Sequence, residues 1–260
     1  MTLEEKARWV RSQVLETAAR TKKGEHIGGI FSCTDILVAL YYGNILKVDP
    51  KNPKWDGRDR FVLGKGHASL ALYHILADIG FFEPSRIQSY GKNGSSLGVQ
   101  LNLNTPGVEY NTGSLGHAIG VACGMALSAE IDGNNYRSFA LVGDGECEEG
   151  SIWESIMFAG KKQVKNLVGI IDRNRLSVTE KIEDKLEEKI RASGWECKTV
   201  DGHSFKELLK ALSEKPDHPL MIIADTIKGK GVSFMENNLK WHSSALKRED
   251  LESAKKELWI

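Results

Sequence analysis

From residue 138 to 225, short apolar runs alternate with amphipathic stretches at nearly even intervals, and few folds accept that pattern. The runs at 138–142, 167–172, 196–200 and 219–225 read as buried strands, and 151–161, 182–193 and 204–213 between them as helices. Strands joined through helices need right-handed crossovers, so the fold expected is α/β, a mainly parallel sheet covered by helices on both faces. A short strand at 60–63 and helices at 3–20, 34–42, 68–79, 116–130 and 248–258 complete the pattern. In the first helix Leu3, Ala7, Val10, Val14, Leu15 and Ala18 share one face. No repeat or Pro/Ser-rich linker interrupts the chain, so residues 1–260 are expected to form a single domain.

Charge removes several function classes. Thirty-five Lys and Arg balance 35 Asp and Glu. A general nucleic-acid binder needs a basic surplus to displace counterions, so no nucleic-acid partner is expected. The longest run without a polar residue or glycine, Ile36–Tyr42, is far short of a membrane span. The charged start MTLEEK has no signal-peptide apolar core. Cys33, Cys123, Cys147 and Cys197 match no zinc or disulfide spacing. Reduced thiols in a cytoplasmic protein are the expectation.

Parallel sheets bind ligands at the carboxyl ends of their strands, which directs attention to the loops after 142, 172 and 225. The first loop reads Leu141-Val-Gly143-Asp144-Gly145-Glu146, and the second Ile171-Asp172-Arg173-Asn174-Arg175-Leu176. Alone, Gly-Asp-Gly is a common turn former. A βαβ unit, however, sets these two strand ends side by side, where the Asp144 carboxylate and the Asn174 amide oxygen can converge. With a backbone carbonyl, two phosphate oxygens and a water they would make an octahedral Mg²⁺ site. The glycines admit backbone N–H groups close to phosphate, and a following helix N-terminus favours the anion. No Gly-x-Gly-x-x-Gly turn is present to support a nucleotide-binding oxidoreductase.

Gly-Asp-Gly, a spacer of 28 residues (146–173) and then Asn resembles the thiamine-diphosphate signature. Arg58-Asp-Arg-Phe-Val-Leu-Gly-Lys-Gly-His67, Thr105-Pro-Gly-Val-Glu109, Thr112-Gly-Ser-Leu-Gly116, Glu148-Glu-Gly-Ser-Ile-Trp-Glu154 and Lys228-Gly-Lys-Gly-Val-Ser-Phe-Met-Glu-Asn-Asn238 resemble transketolases, in order and nearly end to end. The chain is similar to the N-terminal, diphosphate-binding subunit of a split transketolase. The resemblance implies thiamine diphosphate with Mg²⁺ (or Ca²⁺ or Mn²⁺) as cofactors. It implies metal ligands at Asp144, Asn174 and the Leu176 carbonyl. Contacts to the cofactor are implied for Gly113, Ser114, Leu115, Gly143, Gly145, Glu149, His67 and His242. His26, His67 and His242 are implied to face cofactor and substrate, where imidazoles exchange protons with hydroxyls near neutral pH. Glu149 and Glu154 match acidic residues at the family's dimer interface. The pyrimidine-binding and C-terminal domains, with the family's catalytic Glu, are expected on a partner chain, two of each forming a heterotetramer. The activity implied is transfer of a two-carbon ketol unit from a ketose, phosphorylated or otherwise anionic, to an aldose.

Departures cluster near the implied site. Where the family carries Gly-His-Pro this chain has Gly98-Val99-Gln100, and valine offers no hydrogen bond to a donor's hydroxymethyl end. A pyruvate-type donor with decarboxylation, as in deoxyxylulose-phosphate synthase, is the alternative this raises. Ile27, His117 and Ser243-Ser244 are further replacements in segments expected to face the site, and His117 is a candidate substitute for the lost imidazole. Lys228-Gly-Lys-Gly is expected close to the diphosphate. The run Glu180–Arg191 reads as an exposed helix face, and Cys147 as a small packing residue. His74 and His218 read as structural, and His203 as a residue leading into a helix.

Overall fold

The computed structural model describes residues 1–21, 24–176 and 185–258. In chain order the strands are β1 (Gly24–Glu25), β2 (Arg60–Leu63), β3 (Ser138–Gly143), β4 (Leu167–Arg173), β5 (Glu196–Asp201), β6 (Leu220–Asp225) and β7 (Ser244–Ala245). The helices are α1 (Leu3–Thr21), α2 (Ile27–Tyr42), α3 (Ser69–Asp78), α4 (Ala118–Ile131), α5 (Gly150–Lys162), α6 (Leu186–Ala192), α7 (Phe205–Leu212) and α8 (Arg248–Glu257). Strands β2-β3-β4-β6-β5 form one parallel sheet in that spatial order.

Both faces of the sheet are covered, which the alternation of side chains makes possible. Phe139 and Leu141 of β3, Val168 and Ile170 of β4, and Leu220 and Ile222 of β6 pack into a core with α1, α2, α3, α7 and α8. Their neighbours Ala140, Val142, Leu167, Ile171, Met221 and Ile223 pack into a second core with α4, α5 and α6. Register then levels the functional ends: Gly143 pairs with Asp172, and Arg173 with Asp225. Asp144, Asn174 and Thr226 therefore leave the sheet from adjacent points along one edge.

The helix expected at 34–42 begins at Ile27. Gly28 and Gly29 are weak helix formers and read locally as loop. Here they serve close approach: a Cβ on Gly28 would lie 3.0 Å from both Lys228 Cγ and Trp241 O. The antiparallel pair β1–β7 was not expected from the sequence. The helix expected at 182–193 is α6 from Leu186, and residues 182–184 lie outside the described residues, as does the start of the charged run at Glu180.

Candidate functional site

Asp144 follows β3 and ties the two strand ends together. Its Oδ1 accepts from Gly145 N at 2.9 Å and its Oδ2 from Arg175 N at 2.6 Å. Asn174 Oδ1 accepts from Leu176 N at 3.2 Å. Asp144, Asn174 and Leu176 line one cavity of about 390 Å³, together with Gly143, Gly145 and Glu149. Among the described residues, no group of three or more His, Cys, Asp or Glu is arranged to hold a metal. The donors at the strand ends are instead a carboxylate, an amide oxygen and a carbonyl, an all-oxygen set that suits a hard cation. Burial, and then the Asp172 charge, raises the Asp144 carboxyl above its ordinary range, so a cation there would meet a carboxylate short of compensation.

Two residues that sequence reasoning passed over, Lys65 and Glu146, build the wall of this cavity, and a third, Asp172, is fully buried against Lys65. Lys65 Nζ donates to the Asp172 carboxylate, to Gly29 O at 2.8 Å and to Ser32 Oγ at 3.2 Å. Ser32 Oγ and Thr226 Oγ1 also donate to Asp172. Burial pulls the Lys65 ammonium down, but Asp172 outweighs it and the net shift is upward. Glu146 accepts from Gly116 N at 2.9 Å and Gly143 N at 3.2 Å, fastening the 113–116 turn to the end of β3. Burial lifts its carboxyl to about 6. Lys65, Asp172 and Glu146 all lie inside the motifs that drew attention to the site; the signal was present, but the pairing is set by the fold.

The three predicted histidines meet in this cavity. His26 stands just before α2 without a capping side-chain hydrogen bond, His67 sits in the turn after β2, and His242 ends the turn Leu239–His242. The His26 ring centroid lies 5.0 Å from that of His67 and 5.6 Å from that of His242. Burial drives all three pKa values down, His67 to about 2 with Lys65 adding to it, and His242 to about 4 with Lys228 adding to it. All three are thus neutral imidazoles at pH 7. Lys228 Nζ donates to Leu176 O at 2.9 Å and to His242 Nδ1 at 2.8 Å. Burial and Lys65 lower the Lys228 ammonium to about 8. His26 Nδ1 is buried and has no partner among the described residues.

Other predicted residues lie apart. Leu115 lines the cavity, whereas Gly113 and Ser114 are exposed beside it in sequence and outside its wall. Glu154 is exposed on α5, in a groove against α4. Val99 packs against the main core, with its carbonyl accepting from Ser69 Oγ at 2.8 Å, and does not line the cavity. Of the replacements expected to face the site, His117 is exposed and Ile27 fully buried in the core. His74 bonds Thr17 Oγ1 at 3.1 Å within the core, His218 is exposed, and Cys147 is buried, its thiol pushed up by burial.

Comparison with known proteins places this geometry. The family described as transketolase, thiamine diphosphate binding domain, matches residues 4–260. One subunit of an apulose-4-phosphate transketolase from Phocaeicola vulgatus is 38% identical, over 99% of this chain and 94% of its own length. A 6-deoxy-6-sulfo-D-fructose transketolase subunit from a Clostridium species is 37% identical, over 98% and 96%. A transketolase structure from Campylobacter jejuni superposes on 100% of this chain with TM-score 0.93 at 28% identity, and the chain spans 43% of that protein. No helix among the described residues is long and apolar enough to cross a membrane. From its motifs, its sheet and these likenesses together, the chain belongs to the transketolase thiamine diphosphate binding domain family.

Proposed function

We propose that this chain is the diphosphate-binding half of a two-chain transketolase, transferring a two-carbon ketol unit from an anionic ketose to an aldose. The observation that carries the reading is one cavity that joins Asp144, Asn174 and Leu176 to three neutral histidines. Thiamine diphosphate, when bound, supplies the electron sink of the reaction. Asp144, Asn174 and the Leu176 carbonyl would hold the divalent metal, with Mg²⁺ favoured by the all-oxygen donors. Lys228 brings positive charge to the same cavity, where a diphosphate needs it, while the charge of Lys65 is offset by Asp172. The Gly143 and Gly145 backbone gives phosphate a close approach, and Gly113, Ser114, Leu115 and Glu149 would lie toward the remainder of the cofactor.

The histidines' part follows from their electrostatics. A neutral imidazole both donates and accepts, so His26, His67 and His242 can bind sugar hydroxyls and pass protons between them near pH 7. Relatives of the same length carry subunit names, which supports a second chain. That partner would bring the pyrimidine-binding domain and its Glu, in a cytoplasmic heterotetramer whose interface includes Glu154.

Equilibrium binding of thiamine diphosphate to the chain co-purified with its partner tests the reading. Binding is expected with Mg²⁺ and lost on chelation. Asp144→Ala should abolish this Mg²⁺-dependent binding, and Mg²⁺-dependent binding that survives the substitution at wild-type strength would contradict the assigned ligands.

A further inference from the structure

The loop after β6 carries Lys228 into the cavity, and its backbone is pinned at successive residues. Thr226 N donates to Arg173 O at 3.0 Å and Gly229 N to Gly28 O at 2.9 Å. Between them, Ile227 N donates to a side chain: His203 Nε2, 2.8 Å away. A ring nitrogen that accepts carries no proton, so the neutral ring holds its proton on Nδ1. That nitrogen faces Asp35 Oδ2 at 2.6 Å. Asp35, on α2 and 5% exposed, is itself gripped by Arg11 of α1 through both carboxylate oxygens, at 3.0 and 2.7 Å. A continuous chain of contacts, Arg11 to Asp35 to His203, thus ends on the peptide one residue before Lys228.

The Asp201-Gly202-His203 turn is shaped to make that contact. Gly202 N donates to Asp225 O at 2.8 Å, and a Cβ on Gly202 would lie 2.5 Å from Thr226 Cγ2. Glycine alone lets the turn sit this close to the loop. The capping of α7 falls to Ser204, which accepts from Glu207 N, so His203 is left to bridge α2 and the loop.

We propose that His203 is a positioning residue: locked by Asp35, it fixes the Ile227 peptide and so aims Lys228 at the cavity. The inference rests on the reading of that cavity as a diphosphate site. His203 does not line the cavity; its effect passes through one peptide unit to a cation whose hydrogen bonds, among the described residues, go to Leu176 O and His242 Nδ1.

The test is acylation footprinting of Lys228 in the full chain, read by mass spectrometry. Lys228 is 3% exposed and should label slowly in the wild type. In His203→Phe, labelling should rise about tenfold, the net worth of one charge-linked hydrogen bond. His203→Gln, whose amide can donate to Asp35 and accept from Ile227, should stay near wild type. Unchanged labelling in a folded His203→Phe overturns the proposal. Should that variant not fold, the ¹⁵N spectrum of wild-type His203 decides: a protonated Nδ1 beside a bare Nε2 supports the clamp, and a protonated Nε2 overturns it. The same proteins are titrated with magnesium diphosphate. His203→Phe should weaken binding about tenfold, with no further loss in a Lys228→Ala background. An equal loss in that background overturns action through Lys228. A wild type that does not bind magnesium diphosphate contradicts the diphosphate reading alone, and the footprint still decides the clamp.

Discussion

Lys65 and Asp172 form an ion pair whose side chains are 3% and 0% exposed, with Lys65 in the wall of the cavity that holds Asp144. One comes from the turn after β2 and the other from the end of β4, so the pair closes the site across two strands. Desolvation makes such a pair costly to break from one side. Lys65→Met should lower stability by about 3–5 kcal/mol, because Asp172 is left charged and buried. Lys65→Met with Asp172→Asn should recover much of that loss in chemical denaturation. Equal stability of wild type and Lys65→Met would show that the pair contributes nothing.

The 113–116 turn offers a second test. Gly116 has φ +91°, and a Cβ there would lie 2.6 Å from Ser151 Oγ and 2.7 Å from Glu149 Cβ. Gly116→Ala should destabilise by about 1–3 kcal/mol and loosen the turn held by Glu146. Gly124→Ala, in α4 with nothing within 4 Å, should stabilise the isolated chain by up to about 1 kcal/mol. Thermal melts of the two variants should move in opposite directions.

Stability should also depend on pH through His74. Burial, with Arg20 adding to it, lowers its pKa from 6.5 to about 4. Below pH 6.5 the unfolded chain takes up a proton that the folded chain refuses, so stability is full above 6.5 and falls as pH drops toward 4. The loss from this residue is on the order of 3 kcal/mol. His74→Gln should flatten the denaturation midpoint across that window, and an unchanged slope would exclude His74 as its source.

The parallel sheet and the two strand-end motifs were legible because both are local: alternating apolar runs fix the strands, and Asp144 and Asn174 stand at their ends. The start of α2 was not, since Gly28 and Gly29 depress helix propensity while serving contacts with Lys228, Trp241 and His67 from distant segments. Lys65 with Asp172 and Asp35 with His203 were likewise invisible, being separated by 107 and 168 residues. Val99 shows the limit of counting along a motif. Its place opposite the family's histidine was readable, but its packing into the core depends on Ser69 and the surrounding side chains.

The central claim is tested most directly by product analysis. The chain co-purified with its partner is supplied with thiamine diphosphate and Mg²⁺, then offered a ketose phosphate or pyruvate with a panel of aldehydes, and products are read by mass. The account predicts a two-carbon shift from the ketose to the aldehyde without release of carbon dioxide. Carbon dioxide from pyruvate, with no transfer from the ketose, would contradict it and assign the donor class to a decarboxylating reaction.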